Sequence, residues 1–86
     1  MLEKNSMAGS LESNDILVEL FHDHKGRSID LESPVKEQFG DEIISVVNEV
    51  LDQYGIDDVL VILKDKGALN YTIKARLKTA IARGQK

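Results

Sequence analysis

Apolar positions first recur at every second residue, then at helical spacing, and the chain runs through both patterns twice. From Ile16 to Phe21 the pattern predicts a strand, with Ile16, Val18 and Leu20 on one face and Leu17, Glu19 and Phe21 on the other. His22-Asp23-His24-Lys25-Gly26 reads as a turn, and Arg27 to Glu32 as a second strand with Ile29 and Leu31 inward. A glycine-containing polar turn between two such runs predicts a β-hairpin with a loop longer than two residues. Ser33-Pro34 then opens a helix: the serine suits a cap, and proline suits the first helical position because its missing N–H costs nothing there. Val35, Phe39, Ile43, Val46, Val47, Val50 and Tyr54 form its apolar stripe, with Ile44 and Leu51 at the edge, and Gly55 ends it. Gly40 lies inside this helix, where it permits close packing against a neighbour.

Val59-Leu60-Val61-Ile62-Leu63 is an unbroken apolar run rich in β-branched residues. It is too short for a helix and predicts a strand covered on both faces, or nearly so. A second helix follows from about Ala68 to Arg83, burying Leu69, Ile73, Leu77, Ala80 and Ile81, with Gly84-Gln85-Lys86 as a frayed end. The order strand, strand, helix, strand, helix predicts an α+β two-layer sandwich: a three-stranded sheet with two helices on one face. Leu17, Phe21, Val59, Val61 and Leu63 are then candidates for the sheet's uncovered face. Residues 1–14 show no sustained period and read as a flexible N-terminal segment, leaving 15–86 as a single domain.

Composition narrows the function. The 86 residues make one domain with room for one small core. No apolar run approaches the roughly 20 residues that span a bilayer, and the first residues lack a secretory h-region, so a cytoplasmic protein is expected. There is no cysteine, which excludes disulfides, thiolate metal sites and thiol catalysis by the chain itself. Charge is divided along the sequence: residues 1–58 hold 4 Lys/Arg against 14 Asp/Glu, and residues 59–86 hold 7 against 1. Either the two parts complement each other within the fold, or the basic part meets a phosphate or an acidic partner.

Candidate chemistry is sparse. His22 and His24 share a strand-like spacing, but two histidines in a polar turn fall short of the usual three or four protein ligands. Gly9-Ser10-Leu11-Glu12-Ser13-Asn14-Asp15 has the composition of a loop, and no His or Lys base stands beside either serine to make a nucleophile. With no acid–base pair and no phosphate-binding glycine loop, a stand-alone enzyme is not expected, and no catalytic or metal-binding residue is assigned.

Three blocks in register carry a resemblance. Ala8-Gly9-Ser10-Leu11-Glu12-Ser13-Asn14-Asp15 resembles the attachment segment of the citrate lyase acyl carrier protein (gamma subunit) family. Val35-Lys36-Glu37-Gln38-Phe39-Gly40-Asp41-Glu42-Ile43 and Asp65-Lys66-Gly67-Ala68-Leu69-Asn70-Tyr71, with Ala75-Arg76-Leu77 after it, resemble the same family in the same order. The resemblance implies that Ser13 carries 2'-(5''-phosphoribosyl)-3'-dephospho-CoA through a phosphodiester, and that its thiol bears acetyl and citryl groups while citrate is cleaved to acetate and oxaloacetate. Ser10 does not match the family's spacing to the leucine and glutamate. The implied partners are the alpha (acyl transferase) and beta (citryl lyase) subunits and a prosthetic-group transferase, with neither nucleic acid nor membrane. Glu12, Asn14 and Asp15 are candidates for recognition by that transferase or simply for shaping the turn. Arg76 is a candidate for cofactor phosphates or for a salt bridge to the acidic helix. Two other readings stand beside this one: a non-carrier interaction domain with Ser13 unmodified, and a carrier for a related lyase or decarboxylase of the citramalate type.

Overall fold

The computed structural model describes residues 2–85. Its elements are β1 (Ser6–Gly9), β2 (Ile16–Phe21), β3 (Arg27–Glu32), α1 (Lys36–Gln53), β4 (Val59–Asp65) and α2 (Asn70–Gly84). The α+β sandwich is as expected, but the sheet has four strands, in the order β1-β2-β4-β3.

The apolar run explains that order. β4 takes the interior of the sheet, antiparallel to β2 and parallel to β3. A strand apolar on both sides is best satisfied there, where neighbours shield it from water. The predicted hairpin is therefore corrected: β2 and β3 lie on opposite sides of β4, and His22–Gly26 crosses between them. The Val59 N–H donates to the Gly26 carbonyl (3.0 Å), and the Gly26 N–H donates to Asp58 Oδ1 (2.8 Å), closing that crossing against the start of β4.

The fourth strand comes from residues assigned above to an N-terminal loop. Ser6, Met7, Ala8 and Gly9 pair antiparallel with Leu20, Glu19, Val18 and Leu17. Only Ala8 within β1 is buried, so no apolar alternation marks the strand in the sequence. Tertiary contacts hold it instead. Ser6 Oγ donates to the Ala80 carbonyl (2.6 Å), Arg83 donates to the Met7 carbonyl (2.9 Å), and the Glu3 and Lys4 N–H groups both reach the Gly84 carbonyl. Gly84 is part of α2 and packs against Leu2 rather than fraying. Of the predicted ends, Met1 and Lys86 lie outside the described residues.

Ile16, Val18, Leu20, Val59, Val61 and Leu63 are all fully buried beneath the helices. The expected free face is thus corrected for β4: Leu60, Ile62 and Lys64 face outward, opposite Phe21, Glu19 and Leu17 in register. The helices depart from the expected stripes at their ends. In α1 the buried residues are Gly40, Ile43, Val46, Val47, Val50 and Leu51, while Phe39 and Tyr54 are exposed. The helix is turned so that Gly40 faces Leu31, whose Cδ2 lies 3.8 Å from where a Cβ at position 40 would sit. In α2, Ile73, Leu77, Ala80 and Ile81 are buried as expected, but Leu69 precedes the helix and is exposed. Ser33 does not cap α1 directly. Its hydroxyl accepts from the Val35 N–H (3.2 Å) and donates to Asp65 Oδ2 (2.7 Å), and Pro34 and Val35 form a turn before Lys36.

Gly9 is the tightest point of the sheet edge. Its φ is +95°, and a Cβ there would lie 1.8 Å from the Ile16 carbonyl oxygen. Gly26 also has a positive φ, +80°, but nothing stands within 4 Å of its missing side chain. Gly9→Ala is expected to destabilise the fold by about 3 kcal/mol or more, as backbone strain and backbone overlap combine, against about 1 kcal/mol for Gly26→Ala. Urea unfolding of the two variants beside the parent checks both the direction and the gap between them.

Candidate functional site

Pairing of β1 with β2 turns residues 10–15 into a hairpin loop. The chain enters it through Gly9, and the Ser10 N–H donates to the Ile16 carbonyl (3.2 Å) to close its base. Within it, the Asp15 N–H donates to the Glu12 carbonyl (3.2 Å), and Asn14 adopts a left-handed φ of +63°, which asparagine tolerates better than most residues. The loop is also fastened to the end of β4. The Asn14 N–H donates to the Lys66 carbonyl and the Lys66 N–H donates to the Asp15 carbonyl, both at 2.8 Å.

Asp15 is the centre of this arrangement. Oδ1 accepts from the Ile16 N–H (2.7 Å) and Arg76 Nε (3.1 Å), and Oδ2 accepts from Ser10 Oγ (2.8 Å) and a terminal Arg76 nitrogen (3.2 Å). The pair with Arg76 is bidentate, the geometry in which guanidinium and carboxylate match best. Arg76 hydrogen bonding, then the Ile16 N–H and Ser10 hydroxyl, hold the Asp15 carboxyl below its ordinary pKa. The expected salt bridge from Arg76 to the acidic helix is therefore corrected: its partner is in the serine loop and not on α1. The wider charge division does serve the fold: Lys64–Glu19, Lys74–Glu49 and Arg76–Asp15 each join the basic C-terminal part to the acidic remainder.

The loop's two serines differ. Ser10 is half-buried, donates to Asp15 and accepts from the Glu12 N–H (3.3 Å). Ser13 is exposed near the tip, and no hydrogen bond engages its hydroxyl among the described residues. It opens onto a shallow cleft shared with Leu11, Glu32, Ser33, Pro34, Asp65 and Lys66. Glu12 and Asn14 are exposed too, while Asp15 faces inward.

Asp65 and Lys66 were not assigned a role from the sequence, although the block containing them marked the region. Asp65 is only 2% exposed. Its Oδ1 accepts from the Gly67 and Ala68 N–H groups (3.1 and 2.8 Å) and its Oδ2 from Ser33 Oγ, so one carboxylate joins the β3–α1 and β4–α2 connections beside the Ser13 loop. Far from this end, His22 and His24 lie in the β2–β3 crossing, where His24 Nδ1 is 3.1 Å from the Gly26 carbonyl. Among the described residues, no group of three or more His, Cys, Asp or Glu is placed to hold a metal ion. No described helix is long and apolar enough to cross a membrane.

A family model described as the malonate decarboxylase delta subunit (MdcD), an ACP family, matches residues 3–84. The chain is 45% identical over 82 residues to the citrate lyase acyl carrier protein of Leuconostoc mesenteroides subsp. cremoris, covering 95% of this chain and 84% of the relative. Against the proteins of the same name from Streptococcus uberis and Halothermothrix orenii, identity is 46% over 80 residues and 34% over 85, covering 93% and 99% of this chain and 79% and 90% of the relatives. This chain belongs to the citrate lyase acyl carrier protein family. Its fold is shared with a chain in the crystal structure of a Pseudomonas malonate decarboxylase hetero-tetramer in complex with malonate, at a TM-score of 0.72 and 16% identity, covering 93% of this chain and 82% of that one.

The lowered pKa of Asp15 gives a signed pH dependence. A carboxyl depressed in the folded state stabilises the fold at neutral pH, and that stabilisation is lost as pH falls from the unfolded aspartate's pKa through the folded one. Asp15→Asn is expected to cost roughly 1–2 kcal/mol at pH 7, by loss of charge-assisted hydrogen bonds, and to lose less stability than the parent on acidification. Urea titrations of both proteins at pH 7 and pH 3 check this, because carboxylates common to the two cancel in the difference.

Proposed function

We propose that this chain is the acyl carrier of a citrate lyase complex, with Ser13 the covalent anchor of 2'-(5''-phosphoribosyl)-3'-dephospho-CoA. The observation that carries the site is the contrast between the two loop serines: Ser10 is held by Asp15, whereas Ser13 presents an exposed hydroxyl with no internal partner. Family membership and the names of the relatives support the carrier role and citrate as the substrate class. The surroundings fit a bulky phosphodiester. The cleft beside Ser13 is open to solvent, and Lys66 lines it as a cation without an ion pair among the described residues. Arg76 is already neutralised by Asp15, which makes Lys66 the better placed charge for the phosphate.

When bound, the prosthetic group supplies the thiol that holds the acyl group as a thioester, which a chain without cysteine lacks. The chain's own part is to present and orient. β1, β2 and the end of β4 hold the root of the arm on a folded loop, and the tether keeps the acyl group at high local concentration near the complex's active sites. Ser13 is an anchor in this reading and takes no catalytic role. The alpha (acyl transferase) and beta (citryl lyase) subunits are the proposed catalytic partners, a dedicated transferase loads the group, and the protein works in the cytoplasm. The family description and the malonate decarboxylase fold favour one second reading, a carrier for a related lyase or decarboxylase.

Incubated with cofactor precursor and the matching transferase, the wild-type chain and Ser10→Ala are expected to gain the mass of the group, and Ser13→Ala to gain none. Intact-mass spectrometry reads all three. No gain in the wild type, with a transferase active on another carrier, leaves the interaction-domain reading. A gain that survives in Ser13→Ala moves the anchor. Turnover of citrate against citramalate by the reconstituted complex separates the two carrier readings.

A further inference from the structure

Ser13 sits between two fixed points of its loop. Before it, the Glu12 carbonyl accepts from the Asp15 N–H (3.2 Å), and after it the Asn14 N–H donates to the Lys66 carbonyl (2.8 Å). Ser13 itself makes no hydrogen bond among the described residues. Apolar packing does not hold the loop: no residue from Ser10 to Asp15 is buried, and Leu11 is 53% exposed. Its shape therefore rests on polar contacts. These converge on Asp15, whose N–H, carbonyl and both carboxylate oxygens are all engaged.

One of those contacts comes from outside both the serine segment and the sheet. Arg76 lies in α2, 61 residues further along the chain, and its guanidinium meets both Asp15 carboxylate oxygens (3.1 and 3.2 Å). α2 does not need this pair to stay in place. Ile73, Leu77 and Ala80 are fully buried along the helix, Ser6 Oγ donates to the Ala80 carbonyl, and Lys74 pairs with Glu49. The Arg76–Asp15 pair adds little to seating the helix and much to fixing the loop. We propose, resting on the carrier reading, that the transferase which loads Ser13 recognises this loop in its folded shape, and that Arg76, acting through Asp15, is a positioning residue for the loading reaction.

The physical reason is the cost of ordering. A hydroxyl on a mobile loop must be immobilised at each encounter, and apparent affinity falls with the fraction of chains already in the accepted shape. A loop ordered beforehand avoids that loss. The Ser13 hydroxyl, with no partner inside the chain, is then free to enter another protein's active site. The same Asp15 carboxylate accepts from Ser10 Oγ (2.8 Å), so one device presents Ser13 and ties down its neighbour. A transferase that reads only the local sequence around Ser13 is indifferent to Arg76, which makes that residue the decisive one to change.

The test is the steady-state kinetics of loading, with the full chain as substrate of the matching transferase and intact mass as the readout. Arg76→Ala and Asp15→Asn are each expected to raise KM for the chain about tenfold. Their kcat is expected to stay near the wild-type value, because a loop once bound takes the same shape. The double variant is expected to rise no further, since both changes remove one pair. Amide hydrogen exchange of the unloaded chains is expected to show faster exchange at Asn14 and Lys66, with the amides between β2 and β4 unchanged. A merely structural role lowers the unfolding temperature of the variants and leaves KM at wild type wherever they are folded. If Arg76→Ala is unfolded at the assay temperature, Arg76→Lys, which keeps the charge but not the bidentate fit, is expected to show a smaller rise in KM. Wild-type KM in the folded variants overturns the proposal. So does an additive loss in the double variant, about hundredfold, because the two residues then act separately. Wild-type loading of Asp15→Asn beside impaired Arg76→Ala also overturns it, and assigns Arg76 to direct contact with the transferase. In each of these outcomes the wild type is loaded at Ser13 and the carrier reading stands. No loading of the wild type, by a transferase active on another carrier, overturns that reading and this inference with it.

Discussion

The need to bury one face of β4 under the helices and to flank it along both edges sets the rest of the molecule. Val59, Val61 and Leu63 lie under the helices, and Leu60 and Ile62 lie against Phe21 and the outward side chains beside them. A strand with this composition is stable only between neighbours, so β2 and β3 are drawn to its two sides. That choice forbids the local hairpin between β2 and β3. It also leaves the outer edge of β2 free, and β1 fills it. Filling that edge creates the hairpin loop with the serines, so the placement of the site follows from the burial of a strand fifty residues away in sequence.

The loop so created is held from several sides. Its base is closed by a backbone bond between Ser10 and Ile16, its end is fastened to Lys66 by two more, and the Asp15 carboxylate gathers Arg76, Ser10 and the Ile16 N–H. Each of these bonds contributes about 1 kcal/mol, somewhat more where charge is involved. Together they offset the entropy of ordering six residues that bury little apolar surface. Composition alone suggests a mobile root for a carrier arm. In the carrier proposed above, the reach then belongs to the arm itself, and the loop fixes where that arm begins.

The sequence made the core strands, both helices and the α+β class legible, because alternation and helical spacing report burial directly. β1 was not legible. Ser6-Met7-Ala8-Gly9 buries a single alanine, and its partners, the Ala80 and Gly84 carbonyls and the edge of β2, are distant in the chain or defined only by the fold. Strand order was hidden for the same reason: two alternating runs with a turn between them look like a hairpin unless the competing claim of a more apolar strand is weighed. Phe39 and Leu69 were misread because periodicity identifies a face but not where the covering layer stops. At the candidate site, only resemblance singles out Ser13 in the sequence, and its difference from Ser10 is physical only in the fold, where Asp15 occupies one hydroxyl and not the other.

Two of the carboxylates at this end, Asp15 and Asp65, divide the labour in a way that leaves neither free for chemistry. Asp65 is buried and satisfied by Ser33, Gly67 and Ala68, so it sets how the chain leaves both parallel strands. Asp15 is satisfied by Arg76, Ser10 and Ile16, so it sets how the loop meets α2. A carboxylate that accepts several hydrogen bonds is a poor base, because protonation must break some of them. Neither Asp15 nor Asp65 is therefore free to activate the Ser13 hydroxyl. That fits the proposed anchor, whose hydroxyl another protein's catalytic groups would activate.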